Sequence, residues 1–245
     1  MDIEFFDPQK HDYFLEEFSK YSREPKEFEK EFFREFLEAR VKEISEVSGI
    51  SDDFKLYFAM TDESVMGDDL PINRHVHGYS FAEWMEGFDR DILMIRSVRD
   101  RENWKECLVN MLAHEMAHQE FYSIREKAPY SNWFNIIFEG IAMNRAEQVA
   151  EELGIGWQPD YRSEKSVSVS AEDIISVLDE NRSYDPQSIF MNGEEPCEFA
   201  EGYNISYRVV KDITERKGMS LEELLKLEDS VMRKEVEESV DGILS

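Results

Sequence analysis

Basic residues are scarce in this chain, cysteine is nearly absent, and no apolar run approaches the length of a membrane span. Lysine and arginine number 28 against 55 aspartates and glutamates, which leaves a formal net charge of −27 over 245 residues. That balance argues against a nucleic-acid backbone or an anionic membrane surface as partner, because both need basic patches. It is compatible with a highly soluble protein, and equally with an acidic cleft that attracts basic peptides or amines. Two cysteines, Cys107 and Cys197, are too few for a disulfide framework, and neither belongs to a CxxC pair. No stretch of about 18 apolar residues is present, so no membrane span is expected. The opening Met1-Asp2-Ile3-Glu4-Phe5-Phe6-Asp7-Pro8 lacks a basic region followed by an apolar one, so no secretory signal is expected either and the cytoplasm is the expected location.

The hydrophobic share, 41%, is enough for a sizeable core. The expected organisation is one domain over 1–245, with N-terminal helices and sheet over 1–100, two motif-bearing helices over 101–154 and a helical part over 155–245. Neither internal repeats nor low-complexity runs interrupt it. Asp7-Pro8 predicts the start of a short helix through Phe14, Leu15 and Phe18, which carries the lone His11. A long amphipathic helix is expected from Pro25 to about Ser48, its apolar positions Phe28, Phe32, Phe36, Leu37, Val41, Ile44 and Val47, its stop Gly49. Three strands follow, over 54–60, 74–81 and 91–98, the first alternating and rich in strand formers. Helices are then expected over 103–127, 131–153, 170–179 and 199–217, and a last one opened by Ser220 and Glu223 in capping-box spacing. Helix, strands, then helices makes the fold class α+β.

One stretch carries chemistry. Leu112-Ala113-His114-Glu115-Met116-Ala117-His118 contains His-Glu-x-x-His inside a segment that reads as helix on both sides. Positions i and i+4 lie above one another on a helix, so His114 and His118 can present two imidazole nitrogens to one point. Glu115 is rotated by about 100° from His114, near enough to reach a metal's water without being a ligand. Catalytic zinc takes three protein ligands and keeps a position for water, whose pKa falls to about 7.

The third ligand must come from elsewhere. Glu139, in Phe138-Glu139-Gly140-Ile141-Ala142, is the candidate. Two antiparallel helices joined by a short turn at Ala128-Pro129-Tyr130 would return it to the histidines, and Gly140 would permit a close approach. Glu120, Glu126, Glu147 and Glu151 compete for the role. Glu120 points about 200° away from His118, whereas Glu147 lies roughly on the face of Glu139 and is the fallback.

Other residues are candidates for substrate contact. His75 and His77 share a face of the second strand and could line a cleft. The oxyanion of an amide hydrolysis needs a donor besides the metal, and Tyr203, in Glu201-Gly202-Tyr203-Asn204-Ile205-Ser206-Tyr207-Arg208, is the one to test. Tyr207 stands four residues on along the same helical face, and Arg208 could hold a substrate carboxylate.

These motifs, His114 to His118, then Phe138 to Ala142, then Gly202 to Arg208, resemble those of the zincin metalloproteases of gluzincin type. More narrowly, they resemble the predicted zinc-dependent protease family of YjaZ-like proteins. The resemblance covers about 91–217. It departs from the pattern at Ser206, where that family tends to have glycine, and at Met143, where the thermolysin-like branch has an acid that orients a histidine. It implies a zincin-like fold with a small mixed sheet, an edge strand beside the motif helix at about Ile92 to Val98, and an extended peptide pairing with that edge. It also implies His114, His118 and Glu139 as ligands of one zinc ion and Glu115 as general base.

The expected function is therefore a zinc metallopeptidase acting on a peptide or protein substrate. A non-catalytic zincin-fold binding protein that keeps its metal is the alternative, and the intact Glu115 weighs against it. An acidic protein that mimics nucleic acid would explain neither the His-Glu-x-x-His pattern nor Glu139-Gly140-Ile141-Ala142.

Overall fold

The long helix predicted early in the chain, now α2 (Glu27–Ser48), owes its place to one stripe: Phe33, Leu37, Val41 and Ile44 are all buried. Phe33 meets Phe58 of the sheet at a ring-centroid distance of 4.7 Å and Trp104 at 5.7 Å. Gly49, at φ 74°, ends the helix with its N–H on the Ser45 carbonyl. Two of the apolar positions expected on this stripe are not on it, since Phe28 is 70% and Val47 41% exposed. Phe28 lies nine residues before Leu37, half a revolution away at 3.6 residues per turn.

In this computed structural model the residues described are 1–9, 16–62, 76–81, 91–98, 103–125, 131–156, 167–179 and 201–245. The chain divides into two compact units, one of Met1–Glu120 with Ala146–Gln158, the other of Phe121–Arg145 with Pro159–Ser245. Helices and a small mixed sheet agree with an α+β class. No helix among the described residues is long and apolar enough to cross a membrane.

The first unit holds the sheet. Its strands are β1 (Asp2–Phe5), β2 (Ser22–Arg23), β3 (Lys55–Thr61), β4 (His77–Phe81) and β5 (Ile92–Ser97), and the order is β1-β3-β5-β4. β1, β3 and β5 are parallel, β4 runs antiparallel to β5, and β2 pairs antiparallel with the end of β3. β5 is buried along its whole length and flanked on both sides, as expected of a strand in the parallel part of a sheet. The expectation that it is the edge is therefore corrected: among the described residues β4 ends the sheet. β1 and β2 were not foreseen, because four residues and two residues carry too little periodicity to register. Of the helix expected after Asp7-Pro8, only α1 (Glu16–Lys20) is described, and His11 lies outside the described residues.

Ladder register assigns the two faces of the sheet. Tyr79 and Phe81 pack on a cluster of Phe6, Phe18, Tyr57, Ala59, Ile92 and Met94. Gly78 and Ser80 point the other way, beside Ile95 and Leu93 of β5, and this second face also carries Phe58. It receives α2 and α3 (Trp104–Ile124).

In the second unit, the end of α3 and the start of α4 (Asn132–Leu153) meet at Phe121, whose ring packs edge-on to Phe134 and Phe138, each at 5.0 Å. Ala128-Pro129-Tyr130, the expected turn, lies outside the described residues. α5 (Ala171–Val177) starts at Ser170, which accepts a hydrogen bond from the Asp173 N–H. α6 (Glu201–Lys217) and α8 (Asp229–Leu244) pack through Val209, Ile213, Met232, Val236 and Val240. Between them, α7 (Leu221–Leu225) opens with the expected Ser220–Glu223 capping box. The final helix of the sequence reading is thus two helices. Arg125 donates to the carbonyls of Leu225, at 2.7 Å, and Leu227, which the break leaves without helical partners.

Candidate metal centre

α3 begins at Asn103, whose backbone is left-handed at φ 63° and whose carbonyl accepts the first helical bond from Cys107 N–H at 3.0 Å. Asparagine is one of the few side-chain-bearing residues that tolerates that region. Eleven positions on, the helix carries His114 and His118 one turn apart. Their Nε2 atoms are 3.1 Å from each other and their rings stand at 89°.

Glu139, on α4, joins them. One ligand-capable atom from each of His114, His118 and Glu139 lies within 4.8 Å of the others, and among the described residues no other group of this kind is found. Of the competing acids, Glu120, Glu147 and Glu151 are not part of it, and Glu126 lies outside the described residues. Two nitrogens each 2.0–2.1 Å from a tetrahedral ion would stand roughly 3.3 Å apart, close to the separation observed here. Two imidazoles and a carboxylate are also a donor set that suits zinc. The residues present therefore fit the metal that their pattern implies.

His118 is 4% exposed. Burial, with the neighbouring His114 charge second, holds its pKa well below the usual histidine value. The ring is thereby kept in the neutral form that a ligand needs. The same shift has a consequence for stability. Because the folded-state pKa is depressed, the unfolded chain takes up the proton first, so this contribution is complete above about pH 6.5 and is lost as the pH falls below it. In the metal-free protein, His118→Gln is expected to flatten the fall of stability on acidification from about pH 7 to 5.5, a slope that for one group approaches 1.4 kcal/mol per pH unit. Chemical denaturation at several pH values measures it; equal slopes in the two proteins would contradict it.

Glu115 is 4% exposed and lies against the sheet. A Cβ built on Gly78 of β4 would fall 2.5 Å from Glu115 Cγ and 2.6 Å from its Oε1. The Ser80 hydroxyl donates to the Glu115 carbonyl at 2.7 Å. One turn further, the Gln119 amide donates to the carbonyls of Phe81 and Ile92, both at 3.1 Å. These two residues face each other across β4 and β5, so the motif helix is tied directly to the end of the sheet. Gly78, Ser80 and Gln119 were not singled out in the sequence. The signal for the first was there: a glycine inside a strand often marks a close approach.

The remaining candidates are spread more widely. His77 lies on the Tyr79 face of β4, 4.8 Å from that ring, whereas Gly78 and Ser80 beside it face α3. The structure does not bring His77 to Glu115, because strand alternation sends the two to opposite sides. His75 lies outside the described residues. Tyr203 is buried on α6 at 7% exposure. Tyr207, one turn later, accepts a hydrogen bond from Lys211 Nζ at 2.8 Å. Arg208 is exposed and donates to the Ile243 carbonyl at 3.1 Å, near the end of α8.

α6 lies close to Glu139 in another respect. A Cβ on Gly140 would collide with the Ser206 carbonyl and the Val210 side chain. Gly140 thus does permit a close approach, and α6 is the helix that makes it. Asn144, one turn on, donates to the carbonyls of Gly140 at 2.8 Å and of Tyr207 at 3.0 Å. The second and third motifs of the sequence are therefore packed on each other.

A model of the family described as predicted Zn-dependent protease (DUF2268) matches residues 58–234, from β3 into α8. Comparison with curated proteins found no match, and comparison with solved structures found none either. The match takes in the three motifs and nearly three quarters of the chain, so this protein belongs to the DUF2268 family of predicted Zn-dependent proteases.

Proposed function

We propose that the protein is a zinc metallopeptidase of zincin type, with His114, His118 and Glu139 as ligands and Glu115 as general base. The observation that carries this reading is the convergence of two imidazoles and a carboxylate, with a buried glutamate next to one of the histidines. When bound there, zinc would supply Lewis-acid polarisation of a peptide carbonyl and acidify a water. Glu115 takes the proton from the attacking water on its carboxylate and hands it to the departing amine. Its burial against β4 strengthens each polar contact it makes. His118, held neutral, keeps its lone pair for coordination.

Tyr203 is the proposed donor to the oxyanion. Tyr207 and Arg208 are proposed to meet the substrate further along the same helix. An extended peptide adds to the side of β4 away from β5, where no strand pairs among the described residues, and backbone pairing there gives affinity that depends little on sequence. The strong negative charge favours basic peptides as substrates.

Metal analysis of the purified protein followed by cleavage of a peptide library tests this. About one zinc per chain is expected, with cleavage that a chelator abolishes and added zinc restores. Chelator-insensitive cleavage, or a zinc-loaded protein that cleaves no peptide, would overturn it.

A further inference from the structure

Gly78 stands where the backbone does not demand glycine. Its φ lies outside the left-handed region that the helix-ending Gly49, Gly154 and Gly218 occupy, so any L residue can adopt its strand conformation. A glycine within a strand costs conformational entropy and packs no side chain. What this position excludes is volume. A methyl group here would fall 2.5 Å from Glu115 Cγ, 2.6 Å from Oε1 and 2.8 Å from Cδ, and thus along the length of that side chain.

We infer that Gly78 is a positioning residue for Glu115: the bare Cα of β4 is the surface on which the carboxylate of the proposed general base rests. Three hydrogen bonds within the same unit fix the distance across this contact. Ser80 donates to the Glu115 carbonyl, and Gln119 donates to the carbonyls of Phe81 and Ile92. α3 cannot lift away from the sheet to relieve a clash without breaking them. A side chain at 78 must therefore be accommodated by rotating Glu115, whose Cγ is the atom hit first. The two histidines lie one residue before and three after Glu115 on a continuous helix, and the three atoms nearest a Cβ at 78 all belong to Glu115. Substitution at 78 consequently separates base from ligands, moving the first and sparing the second.

The inference rests on the reading of Glu115 as base only where activity is concerned; the contact itself can be tested without it. Four proteins are compared: wild type, Gly78→Ala, Glu115→Ala and the double variant. Alanine in place of Glu115 has no Cγ, so the collision disappears in that background. Gly78→Ala is expected to lower Tm by about 5 °C when Glu115 is present and to leave it within about 1 °C when alanine replaces it. Equal losses in both backgrounds would overturn the inference. Zinc per chain, measured on all four, should be unchanged; its loss on Gly78→Ala alone would show that the clash displaces the ligands instead.

Activity provides the second readout. Gly78→Ala is expected to lower kcat by about a hundredfold with KM within about twofold, the scale of a misplaced catalytic group, and to have no further effect on whatever rate remains in the Glu115→Ala background. Equal fold losses in both backgrounds would leave Gly78 as a scaffold residue and overturn the inference. A wild-type protein that binds zinc and shows the Tm coupling but cleaves no peptide would sink the peptidase reading and leave the contact intact.

Discussion

Glu115→Gln is expected to leave zinc bound at the wild-type level while cutting kcat for peptide cleavage by about 10³-fold, within the range that general acid–base groups contribute. The glutamine keeps the shape of the side chain that lies against Gly78 and can still be held by the same helix, so packing should change little. What it cannot do is accept a proton from water. The Ser80 bond is made to the Glu115 backbone and survives the substitution. Zinc content and Tm of the variant check that only the chemistry has been removed, and a peptide assay reads the loss. Cleavage at the wild-type rate would show that another group is the base.

Glu139→Ala should have the largest effect on the metal itself. Loss of an outer-shell partner typically weakens metal affinity by 10–100-fold, and removal of one of the three proposed ligands should exceed that, by more than about 100-fold. The helix that carries Glu139 should survive, since it is held by contacts that the carboxylate does not make. Phe134 and Phe138 pack on Phe121, and Gly140 lies against Ser206 on the opposite helix. Zinc titration against a competing chelator measures the change. Unaltered affinity with normal folding would transfer the role to another acid, Glu147 being the next on that face. Glu139→Gln, which preserves volume, separates the lost charge from any cavity.

Much of this molecule was legible before folding. α2, α3, α4 and α6 were placed within a few residues because each is long and bounded by a glycine, a proline or a capping residue, and α2 and α6 are amphipathic besides. The short β1 and β2 were missed for the opposite reason. The division of the last helix into α7 and α8 has no breaker residue to announce it; a long-range partner, Arg125, supplies what the freed carbonyls require. Phe28 was read as core from its helical spacing to Phe32, and its exposure follows from where α2 meets the sheet.

His114, Glu115 and His118 could be placed from the sequence because their relation is a property of the helix: four residues is about one turn wherever that helix lies. Three other features depend on tertiary structure. Which acid stands beside the histidines follows from how α4 returns along the chain. Which strand ends the sheet follows from pairing, and β5, apolar on both faces, could not be distinguished from an edge by its own pattern. That Gly78 makes room for Glu115 follows from two segments 37 residues apart meeting face to face. Local sequence encodes periodicity and so decides which side chains share a face, but the partner of that face is chosen by packing and hydrogen bonds between segments distant in the chain.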